Sequence, residues 1–94
     1  MSSLWEGLRD KLIAQNYRCA YTGKALILGV NASVDHILPV ARFPQLISDL
    51  HNIEWVDLQV NQMKRDLTRD EFLSSICQIL EYSQNQKAQR QKAA

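Results

Sequence analysis

The run Val34-Asp35-His36-Ile37-Leu38-Pro39-Val40 constrains the fold more than any other stretch of the chain. Its branched apolar residues favour a strand. Pro39 cannot donate a ladder hydrogen bond, so the strand should end near it. The run also places an acid beside one of only 2 histidines in the sequence. Neighbouring strand residues point to opposite faces unless the strand ends or bends. A bend near Pro39 would let Asp35 and His36 address one site. Taken alone, the pair is as readily a structural feature of a strand end.

The rest of the chain supplies the frame. Its 94 residues suit one domain with a single small core. An N-terminal helix is expected over Leu4 to Gln15. Ser3 and Glu6 have capping-box spacing, and Leu4, Trp5, Leu8, Leu12 and Ile13 form its apolar face. Asn16 is a plausible stop. Thr22-Gly23 reads as a turn, "KALIL" as a short strand, "GVNAS" as a hairpin connection and "VDHI" as the returning strand. The long segment that follows has a candidate helical turn around "FPQLISDL". Asp57 can cap a short helix, "LQVNQMKRD". Thr68 and Glu71 can cap a last helix with Phe72, Ile76, Ile79 and Leu80 on one face. The expected fold is therefore α+β, one domain over residues 1–83. Residues 84–94 form a polar tail with 3 cations (Lys87, Arg90, Lys92) and no acid, expected to fray or be disordered.

Composition excludes little. The formal net charge is +1, so any nucleic-acid binding must use a local patch. No run approaches the ~20 apolar residues of a membrane span, and the N-terminus lacks a signal peptide's apolar block. The reading is a cytoplasmic protein with no membrane partner. Cys19 and Cys77 are then reduced thiols, expected as buried small hydrophobes, and Trp55 is expected in the core.

Asp35-His36, Asn52 and Asn61 fall within one short span. Asn52 by itself suits a turn. Asn61 is more telling, because asparagine is a mediocre helix former and here sits inside the expected helix. A carboxylate and an amide oxygen are hard ligands suited to Mg²⁺. A neutral imidazole beside them can accept a proton from water. Together these are the parts of metal-assisted phosphodiester hydrolysis.

The segments "YRCAYTGKAL", "SVDHILPV", "HNIEWV", "VNQMK" and "LTRDEF" occur in the order and spacing of a known family. Over about residues 17–73 the chain resembles the HNH endonucleases, the ββα-metal or His-Me finger group. The resemblance implies a ββα-metal core of a β-hairpin and a helix, here flanked by terminal helices. It implies Asp35 and Asn61 as ligands to one divalent cation, Mg²⁺ or Mn²⁺ or a similar ion. It implies His36 as the general base and Asn52 as the residue that holds the loop and orients it. Lys64 would contact phosphate. His51 is the rival base, or a nucleic-acid contact. The substrate would be DNA, cut to leave 5′-phosphate and 3′-hydroxyl ends.

The chain departs from the family at the structural zinc site. The positions of its four cysteines hold Cys19, Thr22, Asp57 and Val60. One cysteine of four does not make a zinc site, so none is expected; the two outer helices are the expected substitute core. Two alternatives stand beside the enzyme. One is a nucleic-acid-binding module that keeps the fold without cleaving. The other is the catalytic module of a larger nuclease assembly, such as a phage or restriction system. The sequence leaves substrate form, specificity and oligomeric state open.

Overall fold

The computed structural model describes residues 3–93. Helix α1 spans Leu4–Ala14, strand β1 Ala32–His36, strand β2 Ile53–Asp57, helix α2 Leu58–Lys64 and helix α3 Arg69–Ala93. Two 3₁₀ turns, Pro44–Leu46 and Leu50–Asn52, interrupt the connection between the strands. The result is a small α+β fold: an N-terminal helix, a two-stranded antiparallel hairpin and two C-terminal helices. Among the described residues, no helix is long and apolar enough to cross a membrane.

The caps anticipated from sequence form. The Ser3 hydroxyl accepts from the Glu6 N–H at 3.1 Å, and the Asp57 carboxylate from the Gln59 N–H at 2.8 Å. At α3, Thr68 accepts from the Glu71 N–H at 3.1 Å while Glu71 accepts from the Thr68 N–H at 2.9 Å. These bonds satisfy donors that a helix start leaves without partners.

The hairpin is not the one the sequence suggested. β1 pairs with β2, with Ala32 opposite Asp57 and His36 opposite Ile53. "KALIL" forms no strand; its region contributes only an isolated bridge, Arg18 to Ala25. Asn31 explains the difference. Its side chain accepts from the Ile27 N–H at 2.8 Å and donates to the Ala25 carbonyl at 2.9 Å. It thereby fills the role of a neighbouring strand for that backbone, while Ile27, Leu28 and Val30 stay exposed.

α1 is fastened to the outer edge of β2. Gln15 bridges to Trp55 through both ends of its amide, accepting from the Trp55 N–H at 3.0 Å and donating to its carbonyl at 2.9 Å. The Trp55 indole donates to the Leu8 carbonyl at 2.8 Å. Gly7 allows Leu50 to lie directly against α1; a Cβ there would collide with it. The core gathers Leu12, Cys19, Leu26, Trp55, Val56, Val60 and Phe72. Leu4, Trp5 and Ile13, expected on the packed face of α1, are about half exposed.

α3 also departs from expectation. It continues as helix to Ala93, through the stretch expected to fray. Gln, Lys, Arg and Ala are good helix formers, and here they extend a helix already nucleated at its capped start. Ala94 of that expected tail lies outside the described residues. Among the described residues, the first turns of α3 pack into the core: Phe72 is buried and Ile76 partly so, whereas Ile79, Leu80 and Cys77 are exposed.

Truncation at two α3 positions should separate anchor from extension. Phe72→Ala is expected to destabilise the protein by about 3–5 kcal/mol, and Leu80→Ala by roughly 0.5 kcal/mol or less. Urea denaturation followed by circular dichroism measures both.

Candidate functional site

The site lies where β1 ends. After His36 the chain stays against the second strand for one more bond, from the Ile37 N–H to the Asn52 carbonyl at 2.9 Å. Asn52, itself buried, then clamps the next residue. Its Oδ1 accepts from the Leu38 N–H at 2.8 Å, and its Nδ2 donates to the Leu38 carbonyl at 3.0 Å. This two-bond clamp fixes the turn into buried Pro39 and brings Asp35 and His36 to one cleft.

The cleft has a volume of about 150 Å³ and is lined by Asp35, His36 and Asn61 together with residues of the Pro39 loop, Arg65 and Asp66. Three of the sequence-predicted site residues thus share one opening, and the fourth, Asn52, shapes it from behind. His51 does not join them. It is exposed on the second 3₁₀ turn, at a separate depression with Lys11, Gln15 and Glu54.

Three polar groups of the cleft, His36, Asn61 and Asp35, have defined partners. The His36 Nε2 lies 3.0 Å from the Ile47 carbonyl. A carbonyl can only accept, so Nε2 carries the hydrogen, and in the neutral ring Nδ1 is the atom free to take a proton. Asn61 and Lys64 stand three residues apart on α2, which places both on the face toward β1. Asn61 Nδ2 donates to the Ser33 hydroxyl at 2.7 Å and to the Val34 carbonyl at 3.1 Å. With the nitrogen committed to the strand, Oδ1 is the amide atom left for the cleft.

Lys64 is not where the sequence put it. It was expected to touch phosphate, yet its side chain is 0% exposed. The ammonium sits 3.2 Å and 3.1 Å from the two Asp35 oxygens and donates to the His36 carbonyl at 2.7 Å. Its role here is structural: it binds the end of β1 from beneath the cleft. Burial pushes the Asp35 carboxyl above the usual carboxylate range, and the Lys64 ammonium counters that only in part. Oδ1 takes the Lys64 hydrogen bond. Oδ2 is close enough for charge attraction but lacks hydrogen-bond geometry, so it is a buried oxygen without a hydrogen-bond partner.

A buried polar atom without a hydrogen-bond partner is uncommon in a folded protein. Asp35 Oδ2 and Asn61 Oδ1 offer two hard oxygen donors, which suits an ion that keeps most of its coordination for water and phosphate. Among the described residues, no group of three or more His, Cys, Asp and Glu side chains is placed to hold a metal. Any metal here would rely on an amide and on ligands from outside the chain.

Cys19, Thr22 and Asp57 also draw together. Burial pushes the Cys19 thiol up, but hydrogen bonds from Thr22 and from the backbone at Asp57, Tyr21 and Thr22 outweigh it and leave the thiol below its usual value. Asp57 accepts from Asn31 at 3.1 Å and pairs with Lys24 at 3.3 Å. The Asn31 amide and the Gln59 N–H hold its carboxyl below the usual range. Sequence reading missed Ser33, Ile47 and Asn31, which act through a hydroxyl, a carbonyl and an amide at positions with no motif signal.

No protein-family model matches the chain, and no curated protein matches it.

Two outcomes follow from these geometries. Lys64→Met should destabilise the protein by about 3–5 kcal/mol, because it leaves the Asp35 charge buried and unpaired. Combining it with Asp35→Leu should recover much of that loss; urea midpoints of the three proteins decide it. For Asp57 the folded pKa is depressed, so it contributes stability above the unfolded value of about 3.9 that is lost as pH falls through the folded value. Stability should drop on acidification below about pH 4, with a shallower drop in Asp57→Asn, as read by melting temperature against pH.

Proposed function

We propose that the chain is a metal-dependent DNA endonuclease with an HNH-type ββα-metal site. The observation that carries this reading is one cleft shared by Asp35, His36 and Asn61, each already oriented. Asp35 Oδ2 and Asn61 Oδ1 would hold one Mg²⁺ or Mn²⁺. A bound divalent ion supplies charge neutralisation at the phosphate and at the leaving 3′-oxygen.

The chain's own groups do the rest. His36 accepts a proton from the attacking water at Nδ1. The Ile47 carbonyl keeps the ring in the tautomer that makes this possible and stabilises the imidazolium once it forms. Asn52 fixes the loop that carries the ring, so that base and phosphate meet without reorganisation. Attack on phosphorus by that water and departure of the 3′-oxygen leave 5′-phosphate and 3′-hydroxyl ends.

A second reading has one observation in its favour. Lys64 already brings a positive charge to Asp35, as a fold retained for nucleic-acid binding without cleavage would require. The cleft favours the enzyme, since binding alone gives no reason to gather His36 with Asp35 and Asn61 in one opening.

Supercoiled plasmid incubated with Mg²⁺ or Mn²⁺ should be nicked, and EDTA should stop it. His36→Ala should lose roughly 10²–10⁴-fold in rate while remaining folded by circular dichroism, and His51→Ala should nick normally. Asn61→Ala should need more Mg²⁺ for the same rate. Absence of nicking by the wild-type protein selects the binding module. A folded His36→Ala that nicks at the wild-type rate removes His36 as the base.

A further inference from the structure

Arg65 closes α2 in a backbone conformation that arginine rarely adopts. Its φ is 51° and its ψ −125°. The Leu67 N–H donates to the Lys64 carbonyl at 3.1 Å, so residues 64–67 form a tight turn. The dihedral angles are those of the first central position of a type II′ turn, a position that glycine dominates. A side chain with a Cβ is strained there. Strain of this kind persists where the surrounding structure imposes it, and it clusters at functional sites.

The strained residue faces the cleft. Arg65 is the only lysine or arginine among the residues that line it. The other cations near the hairpin are committed: Lys64 to Asp35, Arg69 to Glu54, Arg42 to Glu71. Arg65 makes no ion pair with any described residue. Asp66 lines the same cleft, so the opening is not a broad basic patch. One guanidinium beside one carboxylate suits a single anion in a fixed place better than a diffuse polyanion contact.

We propose that Arg65 is the phosphate-binding residue of the cleft, gripping the nucleic-acid backbone next to the linkage that His36 addresses. It takes the role that sequence position suggested for Lys64. A planar guanidinium can bind two oxygens of one phosphate in parallel. The inference rests on the phosphodiester reading for the identity of the anion, and not on whether cleavage follows.

The test measures binding apart from cleavage. A short fluorescein-labelled DNA duplex is titrated with protein in EDTA across a salt series, with fluorescence anisotropy as the readout. Arg65→Gly and Arg65→Gln should both bind more weakly and lose about one unit of the log affinity–log salt slope. Arg65→Lys should keep the slope. Arg9→Gln, the same charge change on α1 outside the cleft, should also keep it. Arg65→Gly should melt at a higher temperature than the wild type, because glycine relieves the turn, while Arg65→Gln should not. That combination, stabilised protein with weakened DNA binding, is not expected of a merely structural residue. An unchanged salt slope in both Arg65→Gly and Arg65→Gln overturns the proposal, as does a wild-type protein that fails to bind the duplex at low salt. A wild type that binds through Arg65 but never nicks plasmid leaves this assignment standing and removes the nuclease reading. A wild type that nicks while Arg65→Gly binds and nicks equally well does the reverse.

Discussion

The contact between Lys64, Asp35 and the His36 carbonyl holds the rest in place. In the β1–β2 register Asp35 stands directly opposite Glu54. Directly opposed residues share a face, and like charges there repel. The fold answers with one cation from each C-terminal helix: Lys64 from the end of α2 for Asp35, and Arg69 from the start of α3 for Glu54, at 3.1 Å and 3.3 Å. The Arg69 N–H also donates to the Ile37 carbonyl at 3.3 Å, and its guanidinium lies 4.7 Å from the centre of the Tyr21 ring. Where α2 stops and α3 begins is thus tied to two acids on a two-stranded sheet. A buried ion pair seldom adds net stability over an apolar pair of the same size, yet losing one partner is costly. Its retention here is better understood through what it positions, which is the end of β1.

Much of the site was legible in the sequence, because its parts are polar side chains at fixed spacing. Asp35, His36 and Asn61 reach one cleft, and Asn52 clamps the loop behind it. The helix caps were legible for the same reason: Ser3, Asp57 and Thr68 each put an oxygen at a helix start. The strand pairing was not. "KALIL" has better strand composition than many strands, but Asn31 supplies its backbone with side-chain partners, and a single asparagine carries no signal of that use. Lys64 was misplaced because a lysine reads as surface by default. Only the buried carboxylate it meets reverses that, and the meeting is a tertiary fact. The length of α3 is not legible because a polar segment with no apolar stripe carries no packing signal, whereas its propensity and its capped start extend the helix.

A second hydrogen-bonded network joins the first loop to the start of α2. Cys19 and Thr22 of the first loop meet Asp57 at the end of β2. Asp57 sits at the centre: it caps α2 through Gln59, accepts from Asn31 and pairs with exposed Lys24. Asn31 in turn holds Ala25 and Ile27, and its carbonyl accepts from the Leu58 N–H at 2.8 Å. One carboxylate and one amide therefore join the N-terminal loop to the start of α2. Since α2 carries Asn61 and Lys64, an error in that junction would be passed to the cleft within two helical turns.

The cleft is lined by settled and by strained residues. His36, Asp35 and Asn61 are fixed by ladder bonds, a backbone carbonyl and a buried lysine, so the fold itself sets their positions. Arg65 is different. It is exposed, and its backbone is held in a conformation that favours glycine. Evenly distributed stability would have put glycine in that turn and left the cleft without a free cation. Placing arginine there weakens the turn but sets a positive charge in the cleft that His36, Asp35, Asn61 and Asp66 also line.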